Sequence, residues 1–282
     1  MKNNILSGIL ILSILTSCEK NDKEVFFKIE NFEYKFSDIE LYDTSTHIIY
    51  FKKVHDELRE IEKGIFTFLD NGMPIYSGSL WPGYSSSMPT GPFIMTPPIM
   101  SGNHALRIDY RNSDKPDIRN SPLMIDIMNR HDLLHSGLHF SSVAIENAGT
   151  QLTFRFTVTN QDQSDLLIID LNKTGPNLFH YFTNGPYIYD LAHNEIFSSN
   201  IQHQAPDPWN SWKTDWLSEL KSGESKEFTI IYTLSAPLNP GEYETTFKFP
   251  GLAHQVTKDQ LFQGNSRIWF GDISFKKRIL IP

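Results

Sequence analysis

The chain has 282 residues, 33 of them acidic against 25 basic, a formal net charge of −8, and one cysteine. A lone thiol excludes an intrachain disulfide, so the cores must hold by packing alone. An acidic balance without a basic run argues against nucleic acid as a partner.

The N-terminus reads first. Lys2 supplies one positive charge, and residues 5–15 are apolar apart from Ser7, Gly8 and Ser13. A transmembrane helix needs about 20 apolar residues, and this run is well short of that. A charged start, a short apolar run and small residues before a cut fit a secretory signal peptide over 1–17. Leu15, Thr16, Ser17 and Cys18 then resemble the lipobox of bacterial lipoproteins. The resemblance implies cleavage before Cys18, a diacylglyceryl group on its sulfur, and acylation of the new amine, with palmitate-type chains. Two or more acyl chains hold a protein firmly to a membrane.

Glu19-Lys20-Asn21-Asp22-Lys23-Glu24 follows. It cannot bury apolar area, so a flexible tether is expected over 18–28. Glu19 and Asp22 are similar to acidic tags that send some Gram-negative lipoproteins to the surface. The expected location is therefore the outer membrane or cell surface. Cleavage leaves 24 basic against 33 acidic residues, a net of −9.

Aromatic residues make up 13% of the chain, and Thr and Ile recur in alternating runs, a composition that favours strands. Residues 29–135 read as an N-terminal β-rich domain. Strands are expected over 39–42, 47–51 and 105–110, and a short helix over 55–62. Residues 64–69 and 73–78 form a hairpin around Asn71-Gly72, the dipeptide that tight hairpin turns favour. Residues 80–102, with Trp81 and five prolines, read as a long loop packed over something. Residues 121–134 read as a linking helix with Ser121 as N-cap, Pro122 at its first position, and Met124, Ile127 and Met128 on one face.

Residues 136–282 read as a second domain. Over 152–159, Leu152, Phe154, Phe156 and Val158 alternate with Thr153, Arg155, Thr157 and Thr159, the period of a half-buried strand. Residues 228–234 and 243–249 repeat the pattern, and 267–275 reads as one more strand. The stretches LTFRFTVTN (152–160), LKSGESKEFTIIY (220–232) and LNPGEYETTFKF (238–249) resemble bacterial immunoglobulin-like domains. That resemblance implies a β-sandwich, with Tyr243 as a tyrosine corner bonding back across the preceding turn.

For chemistry, His131, His135 and His139 stand at i, i+4 and i+8. On one helix they would line a face and could hold a metal; with Gly137 as a helix end they are polar residues at a terminus. Asp132 stands where H-E-x-x-H needs Glu. Trp209, Trp212 and Trp216 stand beside Asp207, Asn210 and Asp215. Exposed, they would suit sugar stacking or a protein anchor; buried, they cap the sandwich core. Tyr84, Tyr187 and Tyr189 add aromatics that the sequence does not place on a common face. The expectation is thus a mostly β, two-domain, lipid-anchored protein with a non-catalytic binding role, no cofactor, and an envelope protein or glycan as partner. The alternatives are a glycan-binding accessory protein using the tryptophans and a metal-dependent hydrolase using the histidines.

Overall fold

The computed structural model describes residues 24–96, 104–111, 116–206, 211–252 and 256–282. It is mostly β, with several sheets and two α-helices among the described residues. The first half holds β1 (Val25–Ile29), β2 (Phe32–Lys35), β3 (Ile39–Asp43), β4 (Ile48–Phe51), β5 (Gly64–Asp70), β6 (Met73–Pro82), β7 (Gly91–Thr96), β8 (Ala105–Arg107) and β9 (Asp109–Arg111). Helix α1 (Pro122–Arg130) and β10 (Leu134–His135) lead out of it. The tether expected over 18–28 ends sooner: Val25 already opens β1, and Phe26 and Phe27 are buried in the first core. The expected helix over 55–62 is a single 3-10 segment, Asp56–Glu60.

The Asn-Gly hairpin forms as its chemistry requires. Asn71 (φ 51°) and Gly72 (φ 73°) both take the left-handed conformation that suits a two-residue turn between right-twisted strands. The long loop expected over 80–102 is in part strand instead, over 80–82 and 91–96, and its last residues, 97–102, lie outside the described residues. β6 runs on to Pro82, β7 begins at Gly91, and the two pair in parallel, Leu80 opposite Ile94. Residues 83–90 make the connection, closed by Trp81 Nε1 donating to the Ser87 carbonyl at 2.8 Å. The proline-rich text concealed strands because its described prolines fall at element ends or between elements: Pro82 closes β6, Pro89 lies in the connection and Pro92 is the second residue of β7.

β10-β3-β4-β8 form a central layer with both faces buried. Tyr42, Ile49, Phe51 and Leu106 enter one core with β1, β5 and α1. Leu41, Ile48, Tyr50 and Ala105 enter the other, with the second half of the chain. Side chains alternate along a strand, so one layer serves both cores. A register break between Ile39 and Leu41 sends Ile39 to the first core and Leu41 to the second. The two β-rich units therefore share a sheet.

The second half holds β11 (Leu138–Ala148), β12 (Gln151–Asn160), β13 (Asp165–Ile169), α2 (Leu171–Thr183), β14 (Tyr187–Tyr189) and β15 (Glu195–Ser198). β16 (Leu217–Leu220), β17 (Ser225–Thr233), β18 (Gly241–Pro250), β19 (Phe262–Gln263), β20 (Ser266–Ile268) and β21 (Asp272–Ile281) complete it. Sheet β11-β12-β17 packs face to face on β15-β14-β18-β21, with the Phe156 and Phe247 rings 5.0 Å apart. A third sheet, β16-β13-β20-β19, adds Leu166, Ile168 and Ile268 to the same core. The alternation read over 152–159 holds: Leu152, Phe154, Phe156 and Val158 are buried. The Tyr243 hydroxyl donates to the Asn239 carbonyl at 2.9 Å, back across the turn.

The strand expected over 267–275 is two strands, broken where Trp269 and Phe270 enter the core and Gly271 (φ 87°) turns the chain. Helix α2 had no expectation behind it. It starts at Asp170, whose carboxylate accepts from Asn172 N at 3.0 Å, and kinks at Gly175 (φ 74°) before Pro176. That Gly-Pro pair reads as a breaker in sequence and acts as one: Gly175 leaves helical geometry, so α2 is two helical stretches, and burial of Leu178 and Phe179 holds the second in place.

Candidate functional site

A buried polar cluster fixes how the two cores meet. Arg267, on β20, is fully buried and bonds Asp43 Oδ2 at 2.9 Å and Asp162 Oδ2 at 3.1 Å through Nη2. Its guanidinium also lies 5.2 Å from the Tyr50 ring centroid. His135 Nδ1 is 2.7 Å from the other Asp162 oxygen. Burial alone would raise the Asp162 carboxyl, but the bond from His135 and the charge of Arg267 outweigh it and hold the group down at about 2. From the same junction, Ser45 Oγ donates to Asp43 at 2.6 Å and accepts from Trp269 Nε1 at 3.3 Å.

Beside this cluster runs a surface groove. One cavity of about 510 Å³ is lined by Ser45 and His47 of the first half and His139 and Ser274 of the second. A second, of about 260 Å³, shares Arg107 and Asp272 with it and adds the C-terminal end of α2. A third, of about 560 Å³, shares Asn184 and Lys248 with the second and Ser274 with the first. The three adjoin one another through these shared residues, from the junction to the outward face of β14, β18 and β21.

The charges along the groove are paired within the protein. Arg107 bridges Asp109 at 3.0 Å and Asp272 at 2.7 Å. Arg119 bonds Asp117 at 2.5 Å and donates to the Ile108 carbonyl. Burial of Asp272 works to raise its carboxyl, and the Arg107 charge and bond bring it below the usual carboxylate range. His47 sits 3.2 Å from the Tyr42 hydroxyl, and its burial, helped by the Arg119 charge, pushes the imidazole down to about 3. It is neutral at ordinary pH. The groove therefore presents fixed donors and acceptors to a ligand.

The residues singled out in sequence disperse. The helix ends at Arg130, not at 134, and Asp132 (φ 55°) turns the chain. His131 stacks on Phe36 at 3.6 Å, His135 bonds Asp162, and His139 is exposed at the start of β11. The three do not converge, and among the described residues no group of His, Cys, Asp or Glu is placed to hold a metal. Trp212 packs against the second core, and the half-buried Trp216 lies 6.0 Å from Phe182. Trp209 and Cys18 lie outside the described residues. Of the described residues singled out, His139 lines the first cavity and Tyr187 the third. Sequence reasoning missed Arg107, Arg119 and Asp272; their signal is a single charge at a strand end or in a short 3-10 turn, which many surface positions share. No described helix is long and apolar enough to cross a membrane. No family model and no curated protein matches the chain.

Proposed function

We propose that this is a lipid-anchored envelope protein with a non-catalytic binding role, held by Cys18, which presents the junction groove to its ligand. The observation that carries the binding role is a cavity lined from both units, with others adjoining it, beside the Arg267–Asp43–Asp162 cluster that fixes their relative position. Clefts between domains are preferred ligand sites, and a rigid wall spares the ordering cost of binding. Paired charges such as Arg107–Asp272 orient a ligand rather than attack it. The scattered histidines lend the hydrolase reading no support. The immunoglobulin-like reading of the second half is supported by its sheet orders, β11-β12-β17 over β15-β14-β18-β21, and by the Tyr243–Asn239 bond.

The test is photo-crosslinking in intact cells. A benzoylphenylalanine at Ser274, exposed in the groove, is expected to yield a discrete adduct. The same residue at Thr229, exposed on the outward face of β17, is expected to yield none. Labelling that is equal at both positions, or absent at Ser274, overturns the groove.

A further inference from the structure

Tyr187 and Tyr189 are brought together by the fold. They stand two apart on β14, so they share a face, and their rings lie 6.4 Å apart and 22° from parallel. Ile188 between them is fully buried, so the tyrosines take the opposite, outward face. The pairing of β14, β18 and β21 extends them into rows. Tyr189 stands opposite Glu244, and Glu244 opposite Arg278; Tyr187 stands opposite Thr246, and Thr246 opposite Lys276. The next row is Lys248 opposite Ser274. Along the strands these three rows span ~14 Å, at roughly 3.4 Å per residue. Asn184, at the end of α2, walls the cavity above Tyr187, Lys248 and Lys276.

We propose that this face binds a neutral oligosaccharide, with the Tyr187–Tyr189 pair as its stacking platform; the assignment rests on the groove reading above and names its ligand class. A pyranose ring has an apolar C–H face and a rim of hydroxyls. It needs an aromatic face to stack on and donors and acceptors at its edge; the near-parallel Tyr187 and Tyr189 rings offer the first, and Asn184, Lys276 and Glu244 the second. Tyrosine suits the role because its ring is apolar and its tip is wet. Neutrality follows from the charges. Lys276 bonds Glu244 at 2.6 Å, Lys248 lies 3.8 Å from Asp272, Arg278 stands opposite Glu244, and Glu195 stands opposite Tyr189; with Arg107 matched by Asp109, the three cations meet three carboxylates and no net charge is left over for an anionic sugar. The rows also exceed the reach of a single sugar, which favours a chain.

The experiment is calorimetric titration of the full-length, detergent-purified protein. The probes are hexasaccharides of β-1,4-glucan, α-1,4-glucan, β-1,4-mannan and β-1,4-xylan. At least one is expected to bind. Tyr187→Ala and Tyr189→Ala should each weaken it about tenfold, the scale of one lost aromatic contact. Tyr187→Phe and Tyr189→Phe, which keep the ring, should stay within about twofold of the wild type. Unchanged melting of the alanine variants would separate lost stacking from lost folding. Failure of all the sugars to bind, or binding indifferent to both alanine changes, overturns the assignment. If Ser274 still crosslinks to a protein while no sugar binds, the ligand class falls and the groove stands; if the crosslink is also absent, both fall.

Discussion

Arg267 and Asp43, 224 residues apart in sequence, meet at 2.9 Å with both side chains fully out of water. Asp43 ends a strand of the shared central layer, and Arg267 lies in a sheet of the second unit. Asp162 completes the set at 3.1 Å. Two buried carboxylates around one guanidinium are tolerable only while all three remain, since charge in a low-dielectric interior must be compensated.

Arg267→Met should therefore cost about 3–5 kcal/mol, because it strands two buried carboxylates. The triple change with Asp43→Asn and Asp162→Asn should lose less, although it removes more hydrogen-bonding groups. Urea denaturation followed by tryptophan fluorescence measures both. A triple variant less stable than the single would show that charge compensation is not what the cluster supplies.

The same cluster and the groove give two separate acid responses. The Asp162 carboxyl is held at about 2, below the 3.8 of an ordinary aspartate, so the unfolded chain takes up its proton first. Its contribution is complete above about pH 4 and is lost as pH falls toward 2. For His47 the folded group sits at about 3, below an ordinary 6.5, and again the unfolded chain protonates first. Its effect is nil above about pH 7, and stability declines as pH falls from 6.5 toward 3. Arg119, Asp117 and Arg107 face it and set the depth of that decline. Melting temperatures from pH 7 to 2 should show His47→Gln flattening the upper limb and Asp162→Asn the lower. If either variant leaves its own limb unchanged, the assignment of that limb is wrong.

What the residues announced, and what they concealed, follows from the range of the forces involved. The Asn71-Gly72 turn, the Ser121-Pro122 helix start and the alternation from Leu152 to Val158 are local, and each formed where its chemistry placed it. The 48–51 run, Ile-Ile-Tyr-Phe, shows no alternation because it is buried on both sides, a fact about partners far along the chain. Helix α2 was hidden because Gly175 and Pro176 oppose helix locally while the core favours it. The groove was illegible for a similar reason. Arg107 and Asp272 are 165 residues apart, and neither spacing nor composition brings them together. Tyr187 and Tyr189 could be read as a pair only once β14 was known to be a strand.

Gly137 ties the junction to a single backbone conformation. It takes φ 62°, and a Cβ there would lie 2.1 Å from Ser45 Oγ and 2.5 Å from Asp43 Oδ1. Gly137→Ala should lose about 2–4 kcal/mol, combining the left-handed penalty with overpacking. Gly137→Asn, which tolerates that φ better but still carries a Cβ, should not recover the loss. Differential scanning calorimetry would decide the matter; a wild-type melting temperature for Gly137→Ala would mean the contact relaxes freely.

The anchor makes the remaining prediction. The proposed anchor places acyl chains on Cys18, as the lipobox resemblance implies, and the apolar run before it is too short to span a bilayer by itself. Cys18→Ala removes the only acceptor sulfur in the chain. The groove, far along the sequence, should be untouched, so the variant should fold with the melting temperature of the wild type. It should, however, move from the membrane pellet to the soluble or unprocessed fraction, and metabolic labelling with palmitate should fall to background. Acylation is required for this result because one chain binds only marginally while two or more hold. Cys18→Ala protein that stays in the pellet after carbonate washing would show that something other than lipid at residue 18 holds it there.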